Sequence, residues 1–271
     1  MKLRPFSLLA YGFVASYSVM VALPIVWMFL SSLKTVRELF TTPFGLPVDP
    51  QWQNYAKAWS GGIGLYLWNS TTVTLTSVLL IVVVSTLAAY ALARLRFPGR
   101  LAIYLLLIAG FAVPVHTVLV PLYRTLNWLS LLNTQAGLIA PYVAFGIPFS
   151  VLLLYAFFLE FPAEIEDAAC IDGCNTFQTV GFIVIPLSLP AVVSVIIFQA
   201  VFLWNEFSLA LIVIRDDWLR TIPLGLTKFQ GQWATDWGVM LAALSLATLP
   251  LLLLFLLLQR QFIRSLAGFS K

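Results

Sequence analysis

Long stretches of this chain carry no charged residue, and that limits what it can fold into more than any other feature. An ionised side chain at the centre of a bilayer is costly, so runs of about 20 residues without Asp, Glu, Lys or Arg mark candidate spans. Six such runs occur: Pro5–Leu33, Ala58–Ala93, Leu101–Tyr123, Thr125–Leu159, Gly173–Asn205 and Trp237–Gln259. Each has room for one spanning helix, and none for two with a turn between them. Only 10% of the residues are charged and 61% are hydrophobic, whereas a soluble domain carries about 25% charge. Lipid, not water, is the expected solvent.

Helices are predicted near 8–31, 69–93, 101–123, 136–159, 185–207 and 237–260. The expected fold is an all-α integral membrane protein, a single domain over 1–271 with six transmembrane helices. The first run is too long for a cleaved signal peptide, and Pro24 and Trp27 stand where small residues would be needed. Six spans place both termini on one side. If that side is cytoplasmic, it holds Lys2, Arg4, Arg94, Arg96, Arg100, Arg260, Arg264 and Lys271, and Lys34, Arg37, Lys57, Arg124, Arg215, Arg220 and Lys228 lie outside. The crowding of Arg94, Arg96 and Arg100 into one short loop favours this orientation. Two longer connections, about 35–68 and 215–236, then face outward. Their aromatic residues, Trp218 and Trp233 among them, suit the headgroup zone, and suit an external partner equally well.

Between the fourth and fifth predicted helices the chain changes character. The segment of about 160–180 contains Glu160, Glu164, Glu166, Asp167 and Asp172 and no basic residue. Pro162 can open a short helix whose N-terminal dipole is complemented by Glu164, Glu166 and Asp167. Gly173 is a natural left-handed stop after Asp172. Asn175 with Gln178 has the pattern of a capping box for the next helix, which runs into Pro186 and Pro190. On a helical wheel Ile165, Ala168, Ala169 and Asp172 share one side. Such a small-residue face lets another protein approach closely, whereas an interfacial helix would show bulky apolar residues and Lys or Arg.

The string Glu166-Asp-Ala-Ala-Cys-Ile-Asp-Gly173, followed by Ile185-Pro-Leu187 and Pro190, closely resembles the EAA loop of binding-protein-dependent ABC importer permeases. Ser31-Ser-Leu-Lys34, Asn69-Ser70, Ala89-Tyr-Ala-Leu-Ala-Arg94, Phe97-Pro-Gly-Arg100, Trp204-Asn-Glu-Phe207, Thr235-Asp-Trp237 and Gln259-Arg260 resemble the maltose-type carbohydrate group of that family. Asp167 stands where the family usually has Glu, keeping the charge and shortening the reach. The tail Ser265–Lys271 departs from the Gly-rich Lys-Gly ending usual in the group. The resemblance implies a cytoplasmic coupling helix between helices four and five that docks into a cleft of an ATPase. Its expected docking residues here are Glu164, Glu166, Asp167, Ala168, Ala169, Asp172 and Gly173. The implied partners are a second homologous permease subunit, a cytoplasmic ATPase dimer, an extracytoplasmic solute-binding protein and membrane lipid. The implied location is the plasma (inner) membrane of a bacterium or archaeon.

Other candidate chemistry is sparse. No G-x-x-x-x-G-K-[ST] sequence occurs, so no cofactor is expected on this chain, and ATP and Mg belong to the partner ATPase. A net charge of +4 gives no reason to expect nucleic acid. Cys170 and Cys174 have neither redox nor zinc spacing and read as reduced thiols. His116 is the single histidine; alone it supplies no metal site, so it is expected to pack or to line a pore. Tyr90, Gln199 and Asn205 are candidates for the substrate path, because sugar hydroxyls need amide and phenol partners. Glu206, about 30 Å along a helix starting at Ile185, should lie near the outer interface and serve a structural or gating hydrogen bond. A sugar or oligosaccharide is the expected cargo, with glycerol phosphate or another polar solute as the alternative. An ion-coupled secondary transporter would need buried carboxylates in its spans, and a membrane enzyme would need a catalytic cluster.

Overall fold

The computed structural model describes residues 5–231 and 235–266. Lys2, Arg4, Trp233 and the tail from 267 onward lie outside the described residues. Among the described residues there is no strand. In chain order the helices are α1 (Pro5–Ser32), α2 (Val36–Thr41), α3 (Gln53–Ala58), α4 (Gly64–Arg94), α5 (Arg100–Phe111), α6 (Leu119–Trp128) and α7 (Ala136–Glu160). They are followed by α8 (Ala163–Ile171), α9 (Thr176–Thr179), α10 (Ile185–Leu187), α11 (Leu189–Trp204), α12 (Ser208–Val213), α13 (Ile222–Leu226) and α14 (Trp237–Leu266).

Four spans are continuous helices, as expected: α1, α4, α7 and α14. The third and fifth are not the straight helices predicted over 101–123 and 185–207. In the third, α5 and the segment Val115–Trp128 meet at 91°. Pro114 has no N–H to donate and forces its predecessor out of the helical region, so the break falls beside it. Twelve residues of α5 rise about 18 Å, short of a hydrocarbon core of about 30 Å, so α5 alone does not span. In the fifth, Thr176–Leu187 and α11 meet at 72° around Ser188, which lies between Pro186 and Pro190. The helix then ends at Trp204, leaving Asn205–Phe207 outside it. With each bent pair taken as one span, the chain has six.

Side-chain contacts agree with alternating spans from the second to the fifth. At the C-terminal end of α4, Arg94 pairs with Glu166, so the connections after the second and fourth spans meet. At its other end, the Tyr66 hydroxyl donates to Asp217 Oδ1 at 2.8 Å, and Asn69 Nδ2 donates to the carbonyls of Trp218 and Arg220 at 2.8 and 3.0 Å. The start of the second span therefore meets the connection before the sixth. Up-and-down spans produce this alternation.

Contacts gather into two units, Met1–Leu65 with Gly225–Leu249 and Tyr66–Leu224 with Pro250–Lys271. In the first, the connection after α1 is folded. Lys34 is 1% exposed, and its Nζ donates to the carbonyls of Thr42 and Pro43, both at 2.9 Å. Asn54 Nδ2 donates to Ser32 O at 2.8 Å, and Trp27 Nε1 to Pro43 O at 2.8 Å. Thr35 and Glu38 form a capping box that starts α2. The Thr35 N–H and then the Val48 N–H donate to the Glu38 carboxylate and hold its pKa below the usual value. The second unit has its core around α4, α7 and α11, with Val73, Ile81, Leu138, Val151, Leu154 and Val195 buried.

Candidate functional site

The acidic connection folds as the residue pattern indicates. Pro162 occupies the N-cap of α8, with Glu164 and Glu166 in the first turn. Gly173, at φ +85°, ends the helix, and its N–H donates to Cys170 O while the Cys174 N–H donates back to Ala169 O. This paired arrangement satisfies the last carbonyls. Asn175 and Gln178 then exchange hydrogen bonds of 2.9 and 3.0 Å and start α9.

The face that α8 presents differs in part from the wheel reading. Ala169 is buried and Ile165 and Glu166 are partly buried, so these three turn toward the chain's own body. Glu164, Asp167, Ala168, Cys170, Ile171, Asp172 and Gly173 are exposed. Of the seven expected docking residues, Glu166 and Ala169 thus lie on the inner side. The cause is Arg94, whose Nε sits 2.9 Å from Glu166 Oε1 and whose guanidinium also donates to Phe161 O. Tyr90 adds a hydroxyl donating to Glu166 Oε2 at 2.9 Å. The ring of Tyr90 packs edge-on against Phe158, with centroids 5.9 Å apart. Tyr90, expected on the substrate path, is placed beside α8 instead. The sequence marks Arg94 as a topological charge and as the end of the Ala89–Arg94 string, with no direct pointer to Glu166. A lone acidic connection next to an arginine-ended helix was the available signal.

The other candidates lie farther along the spans. Gln199 is buried, and its Nε2 donates to Gly146 O at 3.0 Å and to Ser150 Oγ at 2.9 Å. It joins α11 to α7 beside Gly146, where an added Cβ would stand 3.1 Å from Gln199 Oε1 and 2.4 Å from Ile81 Cδ1 of α4. Glu206, expected to serve a structural or gating hydrogen bond, lies just beyond the end of α11. It accepts from the Tyr142 hydroxyl at 2.7 Å and from the N–H groups of Leu209 and Ala210 at 2.8 and 3.2 Å. The carboxylate thereby starts α12 and fastens it to α7. Tyr142 was not foreseen, since nothing in the sequence points across to it.

Beside this junction is a cavity of about 630 Å³, lined by Pro114, His116, Tyr142, Asn205, Glu206 and Ser208 together with apolar residues. Its walls carry aromatic faces, an amide, an imidazole and a carboxylate, and no Lys or Arg. Asn205 Nδ2 donates to Val201 O at 2.7 Å, and His116 is exposed to the cavity at the bend of the third span. Among the described residues no group of His, Cys, Asp and Glu could hold a metal ion.

Comparison with known proteins agrees with this arrangement. Residues 81–268 match the family model described as binding-protein-dependent transport system inner membrane component. The probable ABC transporter permease protein YurM of Bacillus subtilis is 39% identical over 95% of this chain and 86% of its own length. The diacetylchitobiose uptake system permease protein NgcG of Streptomyces coelicolor is 36% identical over 95% and 86%. The trehalose/maltose transport system permease protein MalG of Thermococcus litoralis is 31% identical over 90% and 89%. In fold, the chain is similar to one in the crystal structure of a bacterial ABC transporter that imports the acidic polysaccharide alginate, with a TM-score of 0.81, 20% identity, and 95% and 96% of the two chains covered. With its six spans, and with a short capped helix between the fourth and fifth, the chain belongs to the inner membrane components of binding-protein-dependent transport systems.

Proposed function

We propose that this chain is one of two permease subunits of an ATP-driven importer for a sugar or oligosaccharide, and that it docks to the ATPase through α8. The observation that carries this reading is the outer face of α8, where Glu164, Asp167, Ala168 and Ile171 are exposed on a helix that Pro162 opens and Gly173 closes. Ile171 is 87% exposed, an apolar side chain projecting from an acidic helix. That combination suits a partner's groove rather than water or lipid. Docking places α8 and both termini on the cytoplasmic side of a bacterial or archaeal plasma membrane, and 215–236 on the outer side facing a solute-binding protein. Nucleotide and Mg are handled by the ATPase dimer, and a homologous permease completes the pore.

The sugar cargo rests on relatives whose names specify diacetylchitobiose and trehalose or maltose. Cavity chemistry supports a neutral polyol over glycerol phosphate. A phosphate dianion would call for cationic walls, whereas this cavity offers Glu206 and no Lys or Arg. The test is to copurify the chain with its ATPase and companion permease, and to measure ATPase stimulation by the sugar-loaded binding protein. Ala168→Trp should lose the ATPase from the complex, while the variant still folds in the membrane. Full retention and unchanged stimulation would overturn docking through α8. Stimulation by a phosphorylated solute but by no neutral sugar would overturn the cargo.

A further inference from the structure

α4 differs from the other spans in a way that gives it a mechanical role. Among the described residues it is the only one of the six spans without a proline. Pro24, Pro141, Pro148 and Pro250 each remove one rung of the hydrogen-bond ladder inside the continuous helices α1, α7 and α14, and Pro114, Pro186 and Pro190 accompany the two bends. A helix with an unbroken hydrogen-bond ladder carries displacement along its axis, whereas proline creates a hinge. From Tyr66 to Arg94 this rod is about 42 Å long.

Both of its ends are fastened to connections rather than left in lipid. At one end Tyr90 and Arg94, one helical turn apart, hold the two carboxylate oxygens of Glu166 on α8, each at 2.9 Å. Both charged side chains are largely buried, at 20% and 17% exposure. At the other end Tyr66 and Asn69 hold Asp217, Trp218 and Arg220, and Ser70 Oγ accepts from the Ile222 N–H at 2.8 Å. The inner face of α8 is thus bound to this chain while its outer face stays open.

We propose that Arg94 and Glu166 are positioning residues that lock α8 to the end of α4, so that α4 relays a displacement of α8 to the 217–222 segment. The relay rests on the docking of α8 to an ATPase. Removing one partner of a largely buried charge pair leaves the other uncompensated, so the lock should fail when either charge is lost and recover when the two are exchanged.

The experiment uses the complete importer in proteoliposomes and reads solute transported per ATP hydrolysed. Arg94→Glu and Glu166→Arg should each lower that ratio about two- to thirtyfold, the range for cutting one link in a coupling network. The exchange Arg94→Glu with Glu166→Arg should restore most of it. ATPase recovery in the purified complex is measured on each sample. Loss of the ATPase already in the unaltered importer refutes docking itself, whereas an assembled complex whose ratio ignores both single variants refutes the relay. Should the charge-reversed chains fail to assemble, Glu166→Gln and Tyr90→Phe keep volume and fold. Both should lower the ratio and hasten hydrogen exchange across 163–171 in the isolated chain, and unchanged values for both would overturn the proposal.

Discussion

Gln199 illustrates how a single side chain can be legible in type and illegible in role. Its presence in an apolar span flags it, because an unpaired amide in hydrocarbon is expensive. Whether it faces a pore or a neighbouring helix depends on Gly146 and Ser150, which the sequence places no nearer to it than any other residues. The structure gives both of its donor protons to α7. A hydrogen bond of this kind contributes roughly 1 kcal/mol in a membrane, so Gln199→Leu should lower thermal stability in detergent modestly and leave sugar-stimulated ATPase activity near normal. Gly146→Ala should cost more, about 1–3 kcal/mol, because the added methyl meets the fully buried Ile81 and forces it to shift. Ile81→Val in the same chain should recover part of the melting temperature. The same limit applied to Arg94 and Tyr90, whose partner Glu166 becomes a neighbour only through the fold.

At the scale of helices, charge-free runs located all six spans because desolvation of charge is a per-residue cost that needs no tertiary knowledge. They did not reveal the bends of 91° and 72°. Proline marks where a helix can break, yet α1, α7 and α14 carry internal prolines and continue through them. Neighbouring helices decide the outcome, and those are absent from a linear reading. The caps of α8 and α9 were legible because Gly173, Asn175 and Gln178 act locally. Which face of α8 turns outward was legible only in part, because a distant arginine chooses it. Exposure makes this division testable: Ile171→Asp should weaken copurification of the ATPase without changing the melting temperature, whereas Ala169→Trp should lower the melting temperature itself. The α2 cap gives a pH test. The Glu38 pKa is lowered in the folded state, so its contribution is present above the unfolded carboxylate pKa and is lost as pH falls through the folded one. Glu38→Gln should flatten that part of the acid sensitivity of thermal unfolding, most simply followed by tryptophan fluorescence.

The whole molecule exposes apolar side chains on a scale that water would not tolerate. Residues 11–26 of α1 are exposed on all sides, with Phe13 at 74% and Met20 at 73%. Such surface belongs in lipid or against other subunits. Alternation of the tied ends fixes which connections share a side, and the proposed docking of α8 would make that side the cytoplasmic one. Cys170 is exposed and the chain has two cysteines in all, so a native probe of orientation exists. A membrane-impermeant maleimide should label the chain in inside-out vesicles and not in intact cells, and a bound ATPase should slow that labelling. Labelling from the outside of intact cells would reverse the assigned orientation.

The local start and stop of α8, at Pro162 and Gly173, have a consequence for how this protein can change over generations. A helix that starts and stops by its own local chemistry does not depend on the spans for its shape. It touches them through Ile165, Glu166 and Ala169. If α8 docks as proposed, the exposed positions can drift with the partner ATPase, while Glu166 keeps the grip on Tyr90 and Arg94 of α4. One motor could be exchanged for another by rewriting a handful of surface letters, leaving the solute route untouched.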